Sequence, residues 1–393
     1  MKRILPKLAF IPFVLAIVFA SKFMWARIWE PAPTPTEEMA AATPVAMESS
    51  QIQVALLLDV SGSMQGLLEQ AKAQLWNIVN ELAVAQQGGQ QPDLQIALYT
   101  YGNANSYEDH SYAIQLTPFT EDLDRISEEL FSLSTTGSNE YCGQVIQKSL
   151  NELAWADGEG DLRIVFIAGN EPFTQGPVNF QQACQDAKSR DIVINTIFCG
   201  EAMTGINGMW QQGALLAGGE FMSIDHNQQT VHVATPYDQQ LSQLNQQLNE
   251  TYIPYGNQGA VCKQRQVAED SKAASLHSGN AAKRAISKGS RLYKNAHWDL
   301  VDACDDKAFD WEKVQTETLP DSLQQMNAAE RKAAIMKAKA KRMQVQAEIK
   351  ALSAQRKAYV AEQERKESGG QSLDSVMLKA VKLQAEKKAY EFK

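Results

Sequence analysis

Apolar and polar positions along this chain follow two rhythms, short apolar-rich runs in the first part and helical spacing almost everywhere else. Runs of strand length occur at 52–58, 94–99, 112–116, 162–167, 192–198 and 221–224. Such runs read as strands of a largely buried sheet. Between them, apolar residues three and four apart mark helices at 65–85, 123–133, 143–154, 180–187 and 237–248. In the first helix the stripe is Leu67, Leu68, Ala71, Leu75, Ile78, Val79 and Leu82. Strand and helix alternating in this way predict an α/β fold, a doubly wound, mostly parallel sheet with helices on both faces. Ligands of such folds bind outside the carboxyl ends of the strands.

After Tyr252 to Gly256 the pattern loses its strand formers and turns to Ala, Lys, Gln and Glu. Helices are expected at 260–288, at 296–311 around Trp298, Leu300, Val301 and Ala303, from 322 to about 364, and at 373–390. The long one carries Val345, Ile349, Leu352 and Tyr359 in a heptad-like stripe broken by Arg356, short for a coiled coil and at most a candidate for one. Two roles are open to this region. It can pack on itself or on the sheet, as Trp298 and Trp311 suggest, or it can act as an arm that binds a partner. The chain of 393 residues thus divides into an N-terminal segment 1–29, a Pro-rich linker 30–50, a sheet domain 51–250 and an α-helical region 251–393.

The N-terminal segment changes the setting of everything after it. Lys2, Arg3 and Lys7 precede an uncharged stretch from 8 to 21, the form of an export signal. Val18-Phe19-Ala20 resembles a cleavage site, whereas Trp25, Arg27 and Trp29 could anchor an uncleaved helix in a membrane. Either way an extracytoplasmic location is expected, periplasmic or membrane-anchored. Charge is divided unevenly, with 16 basic against 33 acidic residues in 51–320 and 16 against 9 in 321–393. The acidic middle speaks against nucleic-acid binding. The five cysteines show no zinc spacing, and Cys262 with Cys304 is one candidate disulfide.

The candidate chemistry lies in Leu56 to Met64, where Asp59, Ser61 and Ser63 follow the first apolar run directly. One carboxylate and two hydroxyls on a strand-to-helix turn can hold a hard divalent cation, Mg2+ or else Mn2+ or Ca2+, and leave coordination positions open. The competing reading makes Ser61 or Ser63 the N-cap of the following helix. LLLDVSGSM in this strand and helix order resembles the von Willebrand factor type A (VWA) domain, over about residues 51–250. The resemblance implies a six-stranded sheet with the 112–116 strand antiparallel at an edge. It also implies a metal-ion-dependent adhesion site (MIDAS), at which a ligand carboxylate often completes the coordination.

The other two loops of that family's site are matched less closely. Where the second loop supplies a threonine, Ser138 aligns best, with Thr136 and Glu140 as rivals; Thr136 or Ser138 could instead cap the helix near Cys142. Where the third loop supplies an aspartate, this chain has Gly169, so Asn170 or Glu171 would have to reach the metal. The expected metal set is therefore Asp59, Ser61, Ser63, Ser138 and Glu171. The expected function is a non-enzymatic, extracytoplasmic module that binds an unidentified protein through the cation, and that also meets a membrane if the N-terminal segment is retained. The alternative is a metal-free envelope scaffold that binds through its C-terminal helices.

Overall fold

The computed structural model describes residues 50–102, 112–137, 139–224, 233–306, 308–366 and 373–392. The expected export segment and nearly all of the linker lie outside them. Six strands form the main sheet: β1 (Gln51–Asp59), β3 (Asp93–Tyr101), β4 (Ala113–Thr120), β5 (Leu162–Gly169), β6 (Val193–Cys199) and β7 (Phe221–Ile224). Their order is β4-β3-β1-β5-β6-β7, parallel except for β4 at its edge. β1 is central, with Leu56 opposite Leu98 on one side and Phe166 on the other.

Side chains alternate across a strand, so a central strand is buried on both faces and mostly apolar; the buried Gln53 of β1 is satisfied by Gln95 and by the Ala154 and Ala156 backbone. Ile52, Val54, Leu56 and Leu58 face one core, and Ala55 and Leu57 the other. The first core is covered by α1 (Gln65–Leu82), α2 (Leu123–Ser132) and, later in the chain, α7 (Asp238–Asn249). The second is covered by α3 (Cys142–Glu152), α4 (Phe180–Ser189) and the pair α5 (Ala202–Asn207) and α6 (Trp210–Leu216).

The rest of the chain packs onto this body, and Glu48–Lys393 forms one compact unit. The single helix expected over 260–288 is two, α8 (Gly259–Leu276) and α9 (Ser278–Gly289). His277 breaks it with an extended backbone, and its Nδ1 accepts from the Gly279 amide as a cap. Of the helix expected at 296–311 only α10 (Leu300–Ala303) forms. Asp299, buried, caps it, and the chain turns away after Cys304. A short α11 (Asp321–Gln324) precedes α12 (Ala328–Lys366), and α13 (Leu373–Lys387) closes the helical layer.

Val345, Ile349 and Leu352 of α12 are buried in the first core, so their stripe meets the chain's own helices. Arg356, the break in that stripe, donates to Asp238 of α7 at 2.8 Å. Arg342 pairs with Asp299 at 2.6 Å and lies 3.9 Å from the Tyr252 ring. The expected Cys262–Cys304 bridge is not formed; all five cysteines are free thiols. Among the described residues no helix is long and apolar enough to cross a membrane.

The C-terminal layer grips the amino ends of the strands. The short strands β2 (Ala85–Gln87) and β8 (Tyr390–Phe392) pair there. Tyr390 donates to the carbonyls of Gln51 and Gly160, Lys388 meets Asp191, and Lys294 meets Asp93. The carboxyl ends, where ligands of such sheets bind, face the other way.

Candidate metal centre

β1 delivers Asp59 into the sheet's carboxyl edge, where it is fully buried. Its turn is tied to its neighbours through backbone: Val60 N–H donates to Tyr101 C=O at 2.9 Å and Thr136 N–H to Val60 C=O at 2.7 Å. Asp59 Oδ1 accepts from the Ser61 amide at 2.7 Å, while no donor group pairs with Oδ2. The Oγ atoms of Ser61 and Ser63 are 3.4 Å apart, and Asn170 Nδ2 donates to Ser63 Oγ at 2.9 Å. The N-cap of α1 is Met64, with no side-chain cap bond. Neither serine hydroxyl is therefore committed to capping, and both remain available as oxygen donors. Likewise the N-cap of α3 is Tyr141, again with no side-chain cap bond.

Glu140 arrives from the second loop and is buried against Asp59. Burial, and after it the hydrogen bond and charge of Glu140, push the Asp59 carboxyl up to about 9. Two carboxylates in contact without a counter-charge must share a proton or find a cation. Among the described residues no basic side chain pairs with either. Glu140 Oε2 and Asn170 Oδ1 are buried with no donor group paired to them, as Asp59 Oδ2 is. Buried unpaired oxygens are costly and uncommon. Three of them, one from each loop at the same edge, make a donor set for a hard divalent cation.

Two glycines make this geometry possible. Gly102 has φ +78°, and a Cβ there would sit 2.6 Å from Asp59 Oδ1. At Gly169 a Cβ would meet the Tyr101 hydroxyl at 2.4 Å and Trp210 at 3.1 Å. That hydroxyl donates to the Ala168 carbonyl at 2.8 Å. Tyr101 thus fills the space that any third-loop side chain at 169 would need.

Of the residues singled out from sequence, Asp59, Ser61 and Ser63 come together as described. Ser138 lies outside the described residues. The Glu171 carbonyl accepts from Trp210 Nε1 at 2.7 Å, and its carboxylate accepts from Gln175 at 3.5 Å. Gln175 in turn accepts from the Glu140 amide at 3.1 Å, so Glu171 connects with Glu140 through Gln175. Among the described residues no group of three or more His, Cys, Asp or Glu side chains is gathered for a metal. The cluster relies on hydroxyl and amide oxygens beside its two carboxylates.

Residues 53–205 match the family model of the von Willebrand factor type A domain. No curated protein matches the chain. Among solved structures, it is similar to BatB from Bacteroides thetaiotaomicron, at 17% identity over 44% of this chain and 90% of that one, TM-score 0.34. The SpRpn10 VWA domain gives 17% identity over 46% and 90%, TM-score 0.35. Proximal thread matrix protein 1 from the mussel byssus, solved with a zinc-occupied MIDAS motif, gives 12% identity over 46% and 43%, TM-score 0.33.

Proposed function

With residues 53–205 forming a von Willebrand factor type A domain, we propose that the chain is a protein-binding module whose contact surface is the carboxyl edge of the sheet, organised by a divalent cation. Domains of this family commonly mediate protein–protein interactions. In this chain Asp59, Ser61, Ser63, Glu140 and Asn170 would hold the ion. The observation that carries the reading is the set of three buried oxygens to which no donor group is paired, Asp59 Oδ2, Glu140 Oε2 and Asn170 Oδ1. An oxygen-only set suits Mg2+, Mn2+ or Ca2+. The ion would supply the positive charge that this edge lacks. With two carboxylates the donors cancel the charge of a divalent ion, so the site draws an anionic partner group less than a site with one carboxylate would.

We take the module to be non-catalytic. The Ser61 and Ser63 hydroxyls meet each other and Asn170, and the carboxylate beside Ser61 is Asp59 of the proposed ion site; among the described residues no histidine adjoins them to make a nucleophile. Its setting is extracytoplasmic, on the strength of Lys2, Arg3 and Lys7 before the uncharged stretch 8–21. A second reading, the cation-free scaffold, draws on the Asp59 and Glu140 contact, which a shared proton can close without an ion.

Thermal unfolding separates the two readings. Wild type should gain stability as Mg2+ or Mn2+ is raised past its dissociation constant, and Asp59→Asn should gain none. A wild-type chain indifferent to both ions leaves the scaffold reading standing and removes the first.

A further inference from the structure

The helical region has a small core of its own. Leu300, Leu319, Leu323 and Ile335 fill it, and Tyr255, Phe309 and Val314 pack half-buried on it. These last three also line a groove of about 510 Å³, which shares no residue with the metal centre. Tyr255 and Phe309 give the groove two aromatic rings, 6.2 Å apart and at 88° to each other. Asp306, Asp310 and Lys313 give it two carboxylates and one ammonium group.

Backbone sets these groups before any ligand arrives. Gly256 takes φ +73°, a left-handed turn directly after Tyr255, and its amide donates to Thr318 Oγ1 at 3.0 Å. Tyr255 is tied at both ends, its amide donating to the Trp298 carbonyl at 2.8 Å and its hydroxyl to the Ala296 carbonyl. Asp306 Oδ1 accepts from the Ala308 amide at 2.8 Å, and the Asp306 carbonyl accepts from the Phe309 amide at 3.0 Å. One tight turn therefore carries carboxylate and ring together. Trp311 meets Phe309 edge to face at 5.2 Å. Rings and carboxylates held in this way lose little freedom on binding.

We propose that the groove binds an organic ammonium ion, its cation held by the Tyr255 and Phe309 rings and by Asp306, and its alkyl part against Val314. Charge sets the sign of the ligand. Lys313 already pairs with Asp310 at 3.3 Å, and among the described residues no basic side chain pairs with Asp306. The lining thus carries one negative charge in excess, which a single monovalent cation cancels. An aromatic ring is negative on its face, so it attracts an ammonium group and not an anion. A hard divalent ion would need about six oxygens, and here it would meet rings instead. The volume falls within the roughly 300–1,000 Å³ of small-molecule sites, so there is room for substituents on the nitrogen. A free quaternary amine such as choline and the lysine side chain of a peptide share this chemistry. Asp306, Asp310 and Lys313 are exposed to water, so dissociation constants of about 0.1–1 mM are expected.

Ligand-observed NMR titrations of the full-length protein test this, with choline, with Nα-acetyl-lysine amide, and with neopentyl carbinol, the uncharged carbon isostere of choline. At least one of the two cations should bind, and the tighter of them names the source. The isostere should bind at least about 10-fold more weakly than choline if choline is the tighter cation. Asp306→Asn and Phe309→Leu should each weaken the bound cation by about 5-fold or more, whereas Phe309→Tyr, which keeps the ring, should not. Thermal unfolding of each variant checks that the fold is retained. Failure of both cations to bind, an isostere bound as tightly as choline, or an Asp306→Asn variant that binds like wild type would each overturn the proposal.

Discussion

Asp270 and Asp59 are both largely buried aspartates, and the two ends of the molecule treat them differently. Near the amino ends of the strands, Asp270 sits between Arg284 and Lys288 and accepts from Asn245 and Asn249. Burial pushes its carboxyl up, but the two cations outweigh that, and it is held well below the ordinary carboxylate range. At the carboxyl ends, Asp59 faces Glu140 and is pushed up to about 9. The chain supplies its own cations where a carboxylate serves as a fastening. Where it supplies none, the missing charge marks the place for an ion from solution.

The largest expected effect lies at the fastened end. Asp270→Asn leaves Arg284 and Lys288 short of an anion inside the helical layer, which should cost about 3–5 kcal/mol in denaturant unfolding. The folded-state pKa of Asp270 lies below its unfolded value of 3.8. Its contribution is therefore complete above that pH and lost as pH falls below it. The variant should show a shallower loss of stability on acidification than wild type. An unchanged acid limb would break the contrast between the ends. At 59 the same exchange removes an uncompensated carboxyl, so without divalent ions it should not destabilise the chain.

A smaller effect is expected at Gly169. Ala there collides with the Tyr101 hydroxyl, at a cost of about 1–3 kcal/mol. Tyr101→Phe removes that hydroxyl and should recover part of the loss in the double variant. Additive losses in a double-mutant cycle would show that Tyr101 does not exclude a third-loop side chain.

Much of this was legible in the chain. The continuous apolar run ending at Asp59 could only be a central strand, and Asp59, Ser61 and Ser63 follow it without a gap, so local pattern and site coincide. The edge position of the 112–116 run, which the family resemblance implied, holds, and the strand extends to Thr120. Other features depend on distant partners. β2 and β8 are each three residues long, too short to carry a period. His277 looks like any polar residue within a helical pattern until its cap is seen. Glu140 could be named as a rival donor, but its burial against Asp59 is a tertiary fact. The glycine at 169 could be seen as a departure, whereas its cause, a tyrosine from β3, could not. Nor does spacing alone reveal that Glu269 and Asp270 of α8 face inward.

Titration calorimetry of Mg2+ and Mn2+ into the metal-stripped full-length chain tests the central claim most directly, with Glu140→Gln and Glu171→Gln alongside. The account predicts saturable binding by wild type, at least about 100-fold weaker in Glu140→Gln, with a smaller loss in Glu171→Gln. No binding by wild type, or a loss confined to Glu171→Gln, would contradict it.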